Sequence, residues 1–134
     1  MRRRTPAEMA AAFTNRRLVF LGDSHVLYMH NWLAIALGGR PHNASAETPA
    51  LSQKVAGGHI QMEMYRRQTA SDVSALLHSW NKQQWPDVLV VGALEWPVML
   101  TRNITRHLSE MRTLLTTLRE QVRRDACLDM QLLH

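Results

Sequence analysis

The sequence predicts an α/β domain with a mostly parallel sheet and helices on both of its faces. Two observations carry this expectation. Short apolar runs bounded by glycine or proline, Leu18–Leu21 and Val88–Val91, have the composition of buried strands. Segments with apolar residues at helical spacing alternate with them, and that alternation favours parallel strands joined by helical crossovers. At 134 residues the chain has room for one core. An apolar fraction of 46% and a charged fraction of 20% are those of an ordinary globular domain.

The elements follow in order. Pro6–Phe13 reads as a short helix, with Thr5 as its cap and Pro6 at the first helical position. Leu18–Leu21 is the first strand. A helix then runs from Ser24 to about Leu37 and stops at Gly38-Gly39. Val26, Met29, Leu33 and Leu37 fall on one face of this helix and Tyr28, Trp32 and Ile35 on the other, so both faces are expected to be covered. Residues 40–54 are polar, hold Pro41 and Pro49, and read as a loop. Ile60–Met64 alternates with period two, as a half-buried strand does.

Ser71 or Asp72 is the expected cap of the next helix, through Val73, Leu76, Leu77 and Trp80. Pro86 ends that unit, and Asp87–Gly92 forms the next buried strand. Ile104, Leu108, Met111, Leu115, Leu118 and Val122 recur at three and four residues and give the clearest amphipathic helix of the chain. Cys127–His134 reads as the start of a further strand.

Composition excludes several classes of function. Cys127 is the only cysteine, so neither an internal disulfide nor a cysteine-rich metal site can form. The seven histidines lack metal-ligand spacing, so no metal and no cofactor is expected. No apolar run reaches the ~18 residues of a membrane span. Met1-Arg-Arg-Arg4 is followed by Thr5-Pro-Ala-Glu8 where a signal peptide needs an apolar core. The expectation is a soluble chain without leader or span. Sequons at Asn43 and Asn103 matter only in the secretory pathway. The net charge of +5 is spread over scattered arginine pairs, Arg16-Arg17, Arg66-Arg67 and Arg123-Arg124, so nucleic acid is not an expected partner. A basic binding module for acidic polymers is the reading that steeply salt-dependent binding would favour.

The chemistry concentrates at Gly22-Asp23-Ser24-His25, between the first strand and its helix. A serine there holds its backbone N–H at a helix N-terminus, where partial positive charge stabilises an oxyanion. On these residues alone Ser24 is either a nucleophile or the helix cap. Asp23 can bind the amides of its own turn. His25 is adjacent to Ser24 and points elsewhere, and His30 lies nearly two turns on, so both read as structural.

Apolar strand, Gly-Asp-Ser and helix together resemble the first block of the GDSL/SGNH hydrolase superfamily. The histidine after the serine resembles its PC-esterase-like branch of polysaccharide and sialic-acid O-acetyl-transferring proteins. The resemblance spans roughly Arg17 to Val122 and implies a three-layer α/β/α, flavodoxin-like fold. It implies Ser24 as the nucleophile of an acyl-ester hydrolase or O-acetyltransferase, acting on a small ester or an O-acylated carbohydrate. It further implies oxyanion donors from the Ser24 amide and, in a second block matched by Gly57-Gly58, from the Gly58 amide; a plain turn before a strand is an equal reading of that pair.

The family's third block, Gly-x-Asn-Asp, is matched by Gly92-Ala-Leu-Glu95, with Leu94 in place of the donor asparagine. Losing such a donor costs on the order of a hundredfold in rate. Trp96 fits the PC-esterase-like pattern, and Glu95 is either a site residue at a strand end or a surface carboxylate. The fourth block, Asp-x-x-His, is missing: Asp129 and His134 lie too far apart in sequence. The sequence therefore predicts a C-terminally incomplete domain, and the alternative to an esterase is a non-catalytic or truncated SGNH-like domain.

Overall fold

The computed structural model describes residues 4–43, 50–92 and 103–132, with backbone alone from 125 onward. Among them are four α-helices, α1 (Pro6–Ala12), α2 (Ser24–Ala36), α3 (Ala70–Ser79) and α4 (Ile104–Leu132), and four strands, β1 (Arg17–Gly22), β2 (Ala50–Val55), β3 (Ile60–Arg66) and β4 (Val88–Gly92). The strands form one sheet in the order β2-β3-β1-β4. β1 pairs in parallel with β3 and with β4, while β2 runs antiparallel to β3. The fold is thus α/β with a mixed, mostly parallel sheet.

β1 is the hub because five of its six residues are buried. Alternation along it serves two apolar clusters. Leu18 and Phe20 pack with Val26, Leu27 and Ala34 of α2 and with Met62 and Met64 of β3. Val19 and Leu21 pack with Val73 and Leu77 of α3 and Leu114 of α4. Burying side chains of this size stabilises each by about 1.5–3 kcal/mol, which is why a continuous apolar run holds the central position.

α1 begins as the sequence predicts, with the Thr5 hydroxyl accepting from the Glu8 amide at 3.1 Å. α3 starts earlier than expected: its cap is Thr69, two residues before Ser71, and the Thr69 hydroxyl accepts from the Asp72 amide at 3.0 Å. Asp72 falls in the first turn, where a carboxylate suits the helix dipole.

Three further expectations are corrected. The segment 40–54 is not all loop, since Ala50–Val55 is an edge strand that buries only Val55 and half-buries Leu51 and Gln53. Two apolar side chains on a strand wet on its other face leave almost no periodic signal. β2 turns into β3 through Ala56–Gly58, where positive φ at Gly57 (69°) and Gly58 (89°) closes a tight connection.

α2 is covered on one face only. Val26, Leu27, His30 and Ala34 are buried, but Tyr28, Met29, Trp32 and Ile35 are more than half exposed. Among the described side chains of α4 only Leu114 is buried, with Met111 and Leu118 partly covered against α3 and Ile104, Leu108, Leu115 and Val122 exposed. Finally, Cys127–Leu132 continues α4 instead of starting a strand. Nothing between Ala126 and Leu132 breaks a helix, and Ala, Leu, Met and Gln are strong helix formers.

Candidate functional site

The strand order places one crevice at a topological switch point. From β1 the parallel strands continue to β3 on one side and then to β4 on the other. At such reversals ligands of α/β sheets bind, outside the carboxyl ends of the strands. Here that end is Gly22, level with Arg66 of β3 and Gly92 of β4. A Cβ on Gly22 would overlap the Gly92 carbonyl oxygen and come within 2.7 Å of Val26 Cγ2. The absent side chain lets β1 and β4 stay paired to their last residue while α2 turns off directly.

Asp23 and Ser24 divide the work of this turn. Asp23 is 1% exposed and is the N-cap of α2, its Oδ1 accepting from the His25 amide at 3.0 Å. The cap reading of Ser24 is thereby superseded. Ser24 is the first residue of α2 and only half buried. Neither its hydroxyl nor its backbone N–H has a hydrogen-bond partner among the described residues. The amide is one of the orphan donors that every helix start leaves. Ser24 thus presents a hydroxyl and an N–H at the positive end of a 13-residue helix.

His25 does not serve Ser24. Its exposed ring turns to Asp23, with Nδ1 3.4 Å from Oδ1. His30 is fully buried against the edge of Phe20, at 5.4 Å between ring centroids, and its Nδ1 lies 3.0 Å from Asn31 Oδ1. Burial lowers its pKa, against the raising effect of the Asn31 hydrogen bond and with a small further lowering from His42. His30 is therefore a neutral core residue at pH 7. No described histidine is hydrogen-bonded to Ser24.

The structure separates the expected second donor from the serine. Gly57 and Gly58 precede β3, and β3 is parallel to β1, so they sit at the amino ends of the strands. The Asn15 amide donates to the His59 carbonyl and the Gln61 amide to that of Arg16, which fixes this turn beside the start of β1. Ser24 lies beyond the other end of β1, so Gly58 cannot share an oxyanion with it. What does reach the Ser24 turn from β3 is its carboxyl end. The Arg67 amide donates to the Gly22 carbonyl at 2.8 Å.

The sequence gives one signal for this, the pair Arg66-Arg67, which reads there as scattered surface charge. The strand runs two residues past its alternating part and brings the pair to the site. Gly92 does reach the turn. Glu95, Trp96 and Leu94 lie outside the described residues, as does His134.

A second polar cluster runs along β1 and β3, from Arg17 at the start of β1 past Glu63, level with Val19, to Tyr65, level with Leu21. Arg17 Nε and Nη2 donate to the two carboxylate oxygens of Glu63, which is 7% exposed. Tyr65 Oη donates to Glu63 Oε1 at 3.0 Å and Gln61 Nε2 to Oε2 at 3.3 Å. Burial pushes the Glu63 carboxyl up, but the hydrogen bonds from Arg17 and Tyr65, the Arg17 charge and Gln61 outweigh it and hold the pKa below its usual value. Every oxygen lone pair of importance is engaged, so the cluster is a structural tie between β1 and β3.

Between α2, β1 and β4 runs an apolar cavity of about 450 Å³, lined by Phe13, Leu18, Phe20, Trp32, Val88 and Val90. It carries no polar group for chemistry. Among the described residues there is no cluster of three metal-ligating side chains and no helix long and apolar enough to cross a membrane. Comparison with known proteins finds no matching family model, no matching curated protein and no matching solved structure.

Proposed function

We propose that this chain is an SGNH-type domain of three-layer α/β/α build and that Ser24 is its acyl-accepting nucleophile. One observation carries the reading: at the switch point of the sheet, Asp23 takes over capping and leaves Ser24 with an unengaged hydroxyl and an unengaged amide. In the reaction the Ser24 oxygen attacks an ester carbonyl, the carbonyl oxygen takes negative charge beside the Ser24 N–H, and the C–O bond to the alcohol breaks as that alcohol gains a proton. Water or a second alcohol then accepts the acyl group from the serine. The substrate class, a small ester or an O-acylated carbohydrate, comes from the sequence resemblance.

A second reading has its own support. His25 is held by Asp23 and His30 is buried, so no described histidine takes the proton from Ser24. A non-catalytic SGNH-like domain would look the same. Hydrolysis of 4-nitrophenyl acetate by the folded chain separates the two. The esterase reading expects turnover above the buffer rate that Ser24→Ala abolishes. Turnover that survives Ser24→Ala, or none at all in a folded sample, overturns it.

A further inference from the structure

We propose that α4 carries a docking seam for an acidic amphipathic helix. Six apolar residues of α4 recur with spacings of four, three, four, three and four: Ile104, Leu108, Met111, Leu115, Leu118 and Val122. That is a heptad rhythm held over nearly three repeats, the pattern of a helix that packs along another helix. α3 uses only part of it. Leu114 is buried there, with Met111 and Leu118 partly covered. The rest, Ile104, Leu108, Leu115 and Val122, is 56–67% exposed. At 100° per residue these four fall within about 40° of arc, a single straight seam.

The charge beside the seam selects the occupant. Arg112, Arg119 and Arg123 follow on the flank away from α3, within about 60° of the seam's edge. All three are exposed, and none makes an ion pair among the described residues. Glu110 is turned to the other side of the helix and is engaged by Arg106 at 3.0 Å. A helix laid in the seam would meet a row of three positive charges on one side and α3 on the other. Acidic residues on its facing flank complement that row.

A second copy of α4 does not. Packed antiparallel, its arginine row would face this one. Packed parallel, Arg112 and Arg119 would face His107 and Leu114, which offer no negative charge. A lipid surface also fits poorly. Helices lying in a membrane interface present a broad apolar face with aromatic anchors, whereas this seam is narrow, holds no aromatic residue and has cations on one flank only.

The test uses a fluorescently labelled three-heptad synthetic peptide with leucine at its core positions and glutamate on both flanks, and the same peptide with lysine for glutamate. The folded chain is expected to bind the acidic peptide saturably in an anisotropy titration, more weakly as salt rises, and to prefer it to the lysine peptide. Leu115→Glu is expected to weaken binding about tenfold or more. Because Leu115 is exposed, circular dichroism should show its fold unchanged. The double variant Arg112→Glu/Arg119→Glu, on solvent-facing positions, is expected to reverse the preference toward the lysine peptide.

Absence of saturable binding overturns the proposal, as does equal binding of both peptides. Self-association in sedimentation that Leu115→Glu abolishes would assign the seam to a second copy instead. Binding to phosphatidylserine vesicles, lost in Leu115→Glu, with no binding of either peptide would assign it to a membrane.

Discussion

Two buried carboxylates flank β1 and are used differently. Level with the middle of the strand, Glu63 from β3 binds Arg17, Tyr65 and Gln61, so acid, base and phenol are all consumed by one another. At the carboxyl end Asp23 binds the amide of its own helix start and nothing further along the sheet except the ring of His25. The first cluster closes on itself and ties two strands together. The second is satisfied locally, and that satisfaction leaves its neighbour Ser24 unengaged. A buried polar cluster therefore marks a site only where one member stays unpaired and reachable.

Substitutions at the two clusters should separate stability from chemistry. The largest loss is expected from Gly22→Ala, because a Cβ there meets the backbone oxygen of Gly92, which has no side chain to swing aside. A cost of about 3 kcal/mol is expected from such overpacking, read as a lower urea midpoint. Glu63→Ala comes next, at about 2 kcal/mol, since it strands the half-buried Arg17 guanidinium and the Tyr65 hydroxyl. Asp23→Ala removes one helix cap and should cost about 1 kcal/mol. Ser24→Ala should change stability by less than about 0.5 kcal/mol, because the hydroxyl has no partner to lose. An equally large loss at Ser24 and Asp23 would show that the serine is structural after all.

Acid should reach His30 and Glu63 in sequence. His30 is lowered by burial, so the folded state resists its protonation. Stability then falls as pH drops below the ordinary histidine value of 6.5. Glu63 is held below its usual carboxylate value, so its contribution is complete above about pH 4.5 and disappears as pH falls through the lowered value. Stability measured against pH should show both limbs. His30→Leu should flatten the first and Glu63→Gln the second.

The elements that the sequence reveals are those whose burial is one-dimensional. Leu18–Leu21 is buried and Val88–Val91, expected to be buried, is only half-buried, but both are runs, and a run needs no partner to be seen. The Gly22-Asp23-Ser24 turn is visible because strand, glycine and helix start are contiguous. β2 escapes notice since its register comes from β3 and the Ala56–Gly58 turn, not from its own two apolar side chains. The Arg17–Glu63 tie joins residues 46 positions apart and leaves no local trace.

Gly58 fails for a related reason. A glycine pair before a strand reads the same at either end of a sheet, and only strand direction places it away from Ser24. On α2, helical spacing tells which residues share a face but not which face the sheet covers, so Tyr28 and Trp32, expected to be covered, lie exposed.

The central claim is that the Ser24 hydroxyl is a nucleophile, and covalent trapping tests it most directly. The folded chain is treated with an activated fluorophosphonate probe, digested, and the modified peptide located by mass spectrometry. The account predicts a single adduct on Ser24, absent from Ser24→Ala and preserved in Glu63→Gln at a pH where that variant is folded. A folded protein that takes no label, or one labelled elsewhere, would contradict it.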